Sequence, residues 1–264
     1  MAEKPDAASV KDSVREQFGA SAHAYVTSAS HASGDDLARL LELAAPSGSE
    51  RVLDVATGGG HTALAFAPHV ARVTAIDLTP AMLEEARAHA ARRAAPNVTF
   101  DLADAEALPY EDASFDIVVA RIAPHHFADP QAFVRESARV LSKGGLFLLD
   151  DNMAPEDDEL DEFMNRFEKW RDPSHVRAHK LSQWRAWMVA NGLRIVGEDA
   201  LQSKRYAFDE WTARMRMPAD DRRALERWLL AAPKRCTEFF GLELNAGRVT
   251  SVCGTFAIIA ARKP

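Results

Sequence analysis

The sequence predicts an α/β fold: a doubly wound, Rossmann-like sheet of seven strands, the last antiparallel, with an α-helical cap. Three observations support this prediction. Apolar, strand-like runs alternate with helix-like segments over the first 150 residues, which is typical of a parallel sheet covered by helices on both faces. A turn of three consecutive glycines follows the first predicted strand. Beyond residue 150, amphipathic helical segments appear that the sheet does not need, and these form the predicted cap.

The elements of the predicted core follow one another at short intervals. Helices are expected at 61–68, 80–94 and 130–141. The second has a proline in its first turn, acids early and arginines late, as the helix dipole favours. The strands are expected at RVLDVA (51–56), ARVTAIDL (71–78), NVTFDLAD (97–104), FDIVVARIA (115–123), GGLFLLDD (144–151), RIVGEDAL (194–201) and RVTSVCGTFAIIAARK (248–263).

Composition and charge narrow the class of partner. Of the 264 residues 47% are hydrophobic, enough for one large domain with an inserted cap. The net charge of −7 has the wrong sign for a nucleic-acid surface, so we expect a small-molecule partner. The N-terminus lacks a signal-peptide apolar region and no apolar run could span a bilayer, which favours a cytoplasmic protein. Cys236 and Cys253 have no neighbouring cysteine and are expected to be buried, without a disulfide or zinc.

The glycine turn raises the question of what it holds. Gly58, Gly60 and Ala63 match the G-x-G-x-x-G/A pattern of dinucleotide sites, and Asp77 follows at the end of the next strand. Asp54, however, precedes the turn at the end of its own strand, where a carboxylate would repel a pyrophosphate and attract a cation. The pattern alone therefore leaves the cofactor open.

Three longer motifs indicate which cofactor the turn holds. They are LDVATGGG, VTAIDLTPAML and DLADAEALPYEDASFDIVV. They resemble the motifs of class I S-adenosylmethionine-dependent methyltransferases, in the ubiquinone/menaquinone C-methyltransferase-like (methyltransferase type 11) branch. The resemblance implies S-adenosylmethionine as cofactor, with Asp77 on the ribose, Asp104 accepting from the adenine amino group and Ala105 offering a backbone contact. Ala56 departs from the pattern, because many members have glycine there, but this branch tolerates the change.

The same resemblance assigns the remaining cofactor contacts. The stretch around Tyr25 is similar to the N-terminal helix and lid of the family, whose aromatic residue lies over the cofactor. Further segments, such as RIAPHHFADPQAF, resemble a bacterial subgroup of the branch, which implies the cofactor but says little about the acceptor. The predicted cofactor-binding residues are Tyr25, Asp54, Ala56, Thr57, Gly58, Gly60, Asp77, Leu78, Asp104, Ala105 and Arg121.

The predicted domain organisation follows from the motifs and from the surplus helices. An N-terminal helical lid, a Rossmann-like core that binds the cofactor, and two helical insertions forming the cap are expected. Trp211 and Met215, within the second insertion, are expected either in the core or in an apolar acceptor pocket. The boundaries are 1–45 for the lid, 46–150 for the core, 151–180 and 205–235 for the cap, and 181–204 and 236–264 for the remainder of the core.

His125 and His126 are the predicted catalytic residues. They follow the fourth strand, at the carboxyl edge where open α/β sheets bind ligands. Methyl transfer needs an acceptor in line with the methyl group and a base that removes the acceptor's proton, and imidazole titrates near neutrality. The alternative for either histidine is a helix cap or a packing residue under the cap.

A polar cluster in RDPSHVR supplies the predicted substrate contacts. Arg171 and His175 could bind an anionic group of the acceptor, and the alternative is a solvated helix end. Several histidines also raise a metal interpretation. No metal site is expected, because adjacent histidines chelate poorly and no acid accompanies the pair His175 and His179.

The sequence therefore favours an S-adenosylmethionine-dependent methyltransferase acting on a small molecule, either quinone-precursor-like or a secondary metabolite. Two alternatives remain at this stage: a nicotinamide-dependent oxidoreductase, and a protein that binds the cofactor without transferring methyl. The atom methylated and the oligomeric state, monomer or homodimer, stay open.

Overall fold

The computed structural model describes residues 6–19 and 34–264 of the chain. The strands are β1 Arg51–Val55, β2 Arg72–Asp77, β3 Val98–Leu102, β4 Phe115–Arg121, β5 Leu141–Ala154, β6 His179–Lys180, β7 Arg194–Glu198, β8 Gln202–Ala207, β9 Glu243–Asn245 and β10 Arg248–Arg262. The centre of the structure is the predicted sheet, in which the main strands lie in the order β3-β2-β1-β4-β5-β10-β7. The first five of these are parallel, and β10 is antiparallel to both β5 and β7. The Rossmann-like fold class, with an antiparallel last strand, is thus confirmed. Three short strands extend this sheet: β6 pairs with β5, and β8 and β9 pair with β10.

The helices and strands keep the predicted order. The helices are α1 Ala7–Gly19, α2 Asp35–Ala44, α3 His61–Phe66, α4 Pro80–Arg92, α5 Pro130–Val140, α6 Asp158–Arg171, α7 Leu181–Ala190, α8 Phe208–Arg214, α9 Ala219–Leu230 and α10 Lys234–Phe239.

Alternating strand residues build a core on each face of the sheet. Leu53 and Val55 of β1 belong to one buried cluster, and Val52 to the other, because successive side chains of a strand point to opposite faces. Trp184 and Met188 of α7 complete the first cluster, so they pack in the sheet's core and not under the cap.

Helix α2 belongs to the core and not to a lid. Leu40 is fully buried in the second cluster, and Arg39 reaches Asp199 in an ion pair of 3.0 Å. Its apolar face therefore stabilises the sheet. The expected lid, residues 1–45, therefore includes one helix that packs on the sheet.

The surplus helices pack on one another. Phe163 and Phe167 of α6, Phe208 and Trp211 of α8, and Leu225 of α9 share a third apolar cluster. Cys236 and Val252 also belong to it, so the packed unit extends beyond the expected limit at residue 235. The expected limit at 150 likewise falls inside β5, which runs on to Ala154. Both cysteines are buried and free.

Within the described residues, no helix has both the length and the apolar character needed to cross a membrane.

Candidate functional site

A cleft, here called the main cleft, opens at the carboxyl ends of β1 to β4 and is closed on one side by α1. Most of the residues predicted to bind the cofactor line it. Gly60 and Asp54 are not among its lining residues, and Tyr25 lies outside the residues that the structure describes. The predicted residues that line it are Ala56, Thr57, Gly58, Asp77, Leu78, Asp104, Ala105 and Arg121.

The glycine turn is tight because two of its residues have left-handed backbones. Gly58 has φ of 54° and Gly60 has φ of 80°, a region that glycine adopts without a steric cost. A Cβ on Gly60 would also come within 3.3 Å of the Ala86 Cβ. Ala56 has φ of 56° as well, so alanine is strained there and glycine would fit without this cost.

Asp54 supports the turn from behind. It is only 1% exposed, and its Oδ2 accepts hydrogen bonds from the Thr57 hydroxyl and, at 3.0 Å, from the Ala63 N–H. Burial raises the pKa of Asp54 to about 7, despite these hydrogen bonds. Asp54 thus bonds to the turn itself and does not line the main cleft, and its contact with the cofactor stays a prediction.

Asp77 faces the main cleft and also holds the turn. Its Oδ2 accepts from the Gly58 N–H at 3.0 Å, and its Oδ1 accepts from the Thr79 N–H at 2.9 Å. Burial raises the pKa of this carboxyl group, and the backbone donors counteract the shift. Each carboxylate oxygen has a second lone pair, so Asp77 can accept from ligand hydroxyl groups while keeping both backbone contacts.

Asp104 lies at the far end of the cleft, in contact with α1. Its Oδ1 accepts from the Glu106 N–H at 2.9 Å, and its Oδ2 lies 2.7 Å from the Lys11 Nζ. Lys11, Val14 and Phe18 of α1 line the cleft, and sequence reasoning missed all three. Their spacing places them on one helix face, a signal that could have indicated a covering helix but not what it covers.

Strand β4 ends in a strained turn beside a buried ion-pair group. Arg121 Nε donates to Asp36 Oδ2 at 2.7 Å and lies 3.7 Å from Asp150 Oδ2. The next residue, Ile122, has φ of 52°, which is a true outlier for a β-branched side chain. Its N–H donates to the Asp150 carbonyl at 2.7 Å, and this bond helps to hold the strained turn in place.

His126 lines the main cleft as a neutral ring. Its Nδ1 donates to the Ser174 carbonyl at 3.0 Å, since a carbonyl can only accept. Burial and the neighbouring His125 lower the pKa of His126 to about 3. The Phe18 ring packs edge-on against it at 4.9 Å. His126 therefore joins the sheet edge to the cap and to α1.

His125 forms a buried pair with a carboxylate. Its Nδ1 lies 2.6 Å from Asp151 Oδ1, so this nitrogen donates and Nε2 is left as the basic position. Burial alone would lower the pKa of His125, but the Asp151 carboxylate outweighs it and raises the pKa. A base oriented by a third group in this way is the arrangement used to activate nucleophiles.

A smaller space, here called the cap pocket, lies between His125 and the cap. It is lined by Ile122 and Asn152 from the sheet and by Tyr206 and Trp211 from the cap, among others. Ile122, His126 and Phe18 line both the cap pocket and the main cleft. The two spaces therefore meet at the strained end of β4, beside both histidines.

The predicted substrate residues occupy different surroundings. Arg171 lines the cap pocket, but its Nε and a terminal nitrogen both donate to Glu168, so its charge is balanced. His175 is 1% exposed, with its Nε2 2.9 Å from Asn165 Oδ1, and burial lowers its pKa well below the usual value. It lies against the His125 ring at 5.5 Å and does not line the cap pocket.

The main cleft fits S-adenosylmethionine better than a dinucleotide. The N–H groups of Gly58 and Ala63, at the turn where a pyrophosphate would bind, already donate to the carboxylates of Asp77 and Asp54. A phosphate would find acids there, whereas a ribose, an ammonium and a sulfonium would not be repelled. Among the described residues, no group of three or more histidines, cysteines or acids could hold a metal.

Comparisons with known proteins agree with this chemistry. Residues 53–149 match a family model described as a methyltransferase domain. The chain is 40% identical over 238 residues to the uncharacterized methyltransferase YcgJ of Bacillus subtilis (strain 168), covering 89% of this chain and 93% of YcgJ. It is 36% identical over 113 residues to the ubiquinone/menaquinone biosynthesis C-methyltransferase UbiE of Zymomonas mobilis, covering 43% of this chain and 46% of UbiE.

Solved structures also include proteins similar to this chain. A Bacillus halodurans C-125 protein crystallised as a methyltransferase candidate, BH2331, superposes with a TM-score of 0.85 at 43% identity, over 88% of this chain and all of that one. The fold and the site define a class I methyltransferase whose cofactor is S-adenosylmethionine. The likeness to YcgJ spans most of both chains, so the protein belongs to this methyltransferase family, in the type 11 branch.

Proposed function

We propose that this methyltransferase acts on a small molecule bound in the cap pocket, and that His125 removes the acceptor's proton. The observation that carries the proposal is the His125–Asp151 pair at the point where the cap pocket meets the main cleft. In the open α/β fold this is the edge where ligands bind. Trp211 and Tyr206 supply apolar and aromatic surface there, as small-molecule sites require.

Different residues of the chain would bind the cofactor and remove the acceptor's proton. Bound S-adenosylmethionine supplies a methyl group that its sulfonium already activates. Asp77 and Asp104 would hold its ribose and its base, and the turn of Thr57 and Gly58 would leave room for the methionine part. His125 Nε2 would accept the acceptor's proton while Asp151 stabilises the resulting imidazolium. His126, neutral and tied to Ser174, would position this edge and would not titrate near pH 7.

The cap would exclude water from the reaction. The loop after α6 is fastened to the sheet edge by the Val176 and Arg177 N–H groups, which donate to the His125 carbonyl at 2.9 and 3.0 Å. Helix α1 closes the main cleft from another side. Burial of both histidines between these layers supports a closed site. We therefore propose the cap as a cover for the acceptor and α1 as a cover for the cofactor.

An acceptor screen that measures S-adenosylhomocysteine release tests the proposal. The panel contains phenols, quinone precursors and carbon acids, because their protons are removable by an imidazole base. We expect turnover with a member of this panel, and we expect His125→Gln to lower it by about two to four orders of magnitude. Turnover with macromolecular acceptors alone would contradict a small-molecule role. Binding of S-adenosylmethionine without release from any acceptor would favour a role that does not include methyl transfer.

A further inference from the structure

A lysine from outside the Rossmann-like core reaches the end of the main cleft where the adenine is expected. Lys11 Nζ lies 2.7 Å from Asp104 Oδ2 and 2.6 Å from Glu106 Oε2. Burial alone would lower the pKa of Lys11, but hydrogen bonds to Asp104 and Glu106 outweigh it and raise the pKa. The lysine is therefore charged and joins two carboxylates that would otherwise repel each other.

These contacts fix the orientation of the Asp104 carboxylate. Its two oxygens are held from different directions, Oδ2 by Lys11 and Oδ1 by the Glu106 N–H. Glu106 is itself fixed, because its Oε1 accepts from the Asp129 N–H at 2.9 Å. Each Asp104 oxygen keeps a lone pair. With Lys11 bound, Asp104 can still accept a hydrogen bond from a ligand, and the fixed orientation of the carboxylate sets the direction of that bond.

Lys11 also connects both ends of the cleft through its helix. Lys11, Val14 and Phe18 line the cleft from one face of α1, and the Phe18 ring contacts the His126 ring. No residue of α1 is fully buried, so apolar packing holds this helix only weakly. The ion pairs of Lys11 are one of several contacts between this helix and the cleft.

We propose that Lys11 is a positioning residue for the adenine of the cofactor. By fixing Asp104, it directs a carboxylate oxygen at the exocyclic amino group, and recognition of that group then depends on α1 being in place. A carboxylate free to rotate would keep its charge but lose this direction. The inference rests on the proposed function in one respect, since it takes Asp104 as the partner of the adenine.

Calorimetry with two ligands tests this. The first is S-adenosylhomocysteine, and the second is its analogue with purine in place of adenine, which lacks the amino group. The variants are Lys11→Met, Lys11→Gln and Lys11→Arg. Arg15→Met is the matched control, because Arg15 lies on the same helix and pairs with exposed Asp12. We expect Lys11→Met and Lys11→Gln to lose roughly five- to tenfold in affinity for S-adenosylhomocysteine, with little change for the analogue.

The conservative variant and the control complete the test. Lys11→Arg should keep most of the preference for the amino group, and Arg15→Met should keep all of it. An equal loss for both ligands in Lys11→Met would overturn the inference, because Lys11 would then only attach the helix. Unchanged affinities would overturn it as well. Failure of the wild type to bind S-adenosylhomocysteine would instead count against the cofactor contacts of the proposed function.

Discussion

The main cleft and the cap pocket adjoin at one sheet edge, yet they are built in different ways. In the main cleft, the turn is held by contacts within the segment from β1 to β2, such as Thr57 to Asp54, three residues apart, and Gly58 to Asp77, 19 residues apart. In the cap pocket, His126 bonds to Ser174, 48 residues away, and His125 to Asp151, 26 residues away. The glycine turn is thus closed within one stretch of chain, whereas the cap pocket, the proposed acceptor site, depends on how the cap is placed.

This difference bears on what each site can specify. Such a turn can form wherever its sequence motif occurs, and this suits a cofactor that a whole family shares. A pocket closed by a separate layer changes whenever that layer changes. We therefore expect cap residues such as Tyr206 and Trp211 to decide which acceptor binds.

The largest effect is expected in the cap pocket. His125→Gln should lower the rate of methyl transfer by about two to four orders of magnitude, because it removes the general base. Cofactor affinity should change little, since His125 does not line the main cleft. Single-turnover kinetics and calorimetry measure the two quantities. His126→Gln is the matched control, and a larger rate loss there than in His125→Gln would exchange their roles.

The pH dependence of the methyl-transfer rate also tests His125 as the base. Only neutral His125 can take a proton, so the wild-type rate should rise with pH through a pKa above the ordinary imidazole value of about 6.5. Asp151→Asn should shift this limb to lower pH, because the carboxylate is what raises the pKa. The paired, charged His125 stabilises the fold below its unfolded pKa, and this contribution is lost as the pH rises through the folded pKa. A rate independent of pH would indicate an acceptor that arrives ionised.

The next largest effect is expected in the main cleft. Asp77→Ala should weaken S-adenosylmethionine binding by roughly 1.5–3 kcal/mol, or about 10- to 150-fold, because a charge-assisted contact with the ribose is lost. Calorimetry decides it. Asp101→Ala removes the same charge outside the cleft, where Asp101 accepts from the Tyr110 hydroxyl, and should bind normally. Unchanged affinity in folded Asp77→Ala would remove Asp77 from the site.

Hydrogen exchange compares the main cleft and the cap pocket directly. Cofactor alone should slow exchange in α1 and around the glycine turn, and adding an acceptor should slow it further in segments 151–180 and 205–235. At ligand concentrations of 100 times Kd, the slowing should reach at most about 100-fold. Helix α7, whose residues line neither the main cleft nor the cap pocket, serves as an internal reference. Identical exchange in the cap with and without acceptor would show that the cap is only scaffold.

The smallest effect concerns backbone strain. Ala56→Gly should raise the free energy of unfolding by about 0.5–1 kcal/mol, because glycine adopts the left-handed region without the alanine penalty. Ala45→Gly is a control outside the cleft with φ of 41° and should stabilise similarly. Gly60→Ala should destabilise, since it adds strain and a contact with Ala86. Denaturant unfolding measures all three, and a destabilised Ala56→Gly would contradict the strain.

The sequence by itself determined which segments form the seven main strands, the fold class and the family. Alternation of apolar runs indicates which segments are strands, and LDVATGGG with Asp77 and Asp104 marks the turn and the strand ends that line the cleft. Ala56, Thr57, Leu78 and Ala105 could be placed on the cleft for the same reason. Tyr25 stays a prediction, because it lies outside the described residues.

Only the tertiary structure decided the rest. It turned Asp54 behind the glycine turn, paired Arg171 with Glu168, and gave the two adjacent histidines opposite pKa shifts. It also brought Lys11 to Asp104, 93 residues away. These outcomes depend on burial and on which side chain lies opposite, and both arise only when distant segments pack. The spacing of residues along the chain does not predict this burial or these contacts.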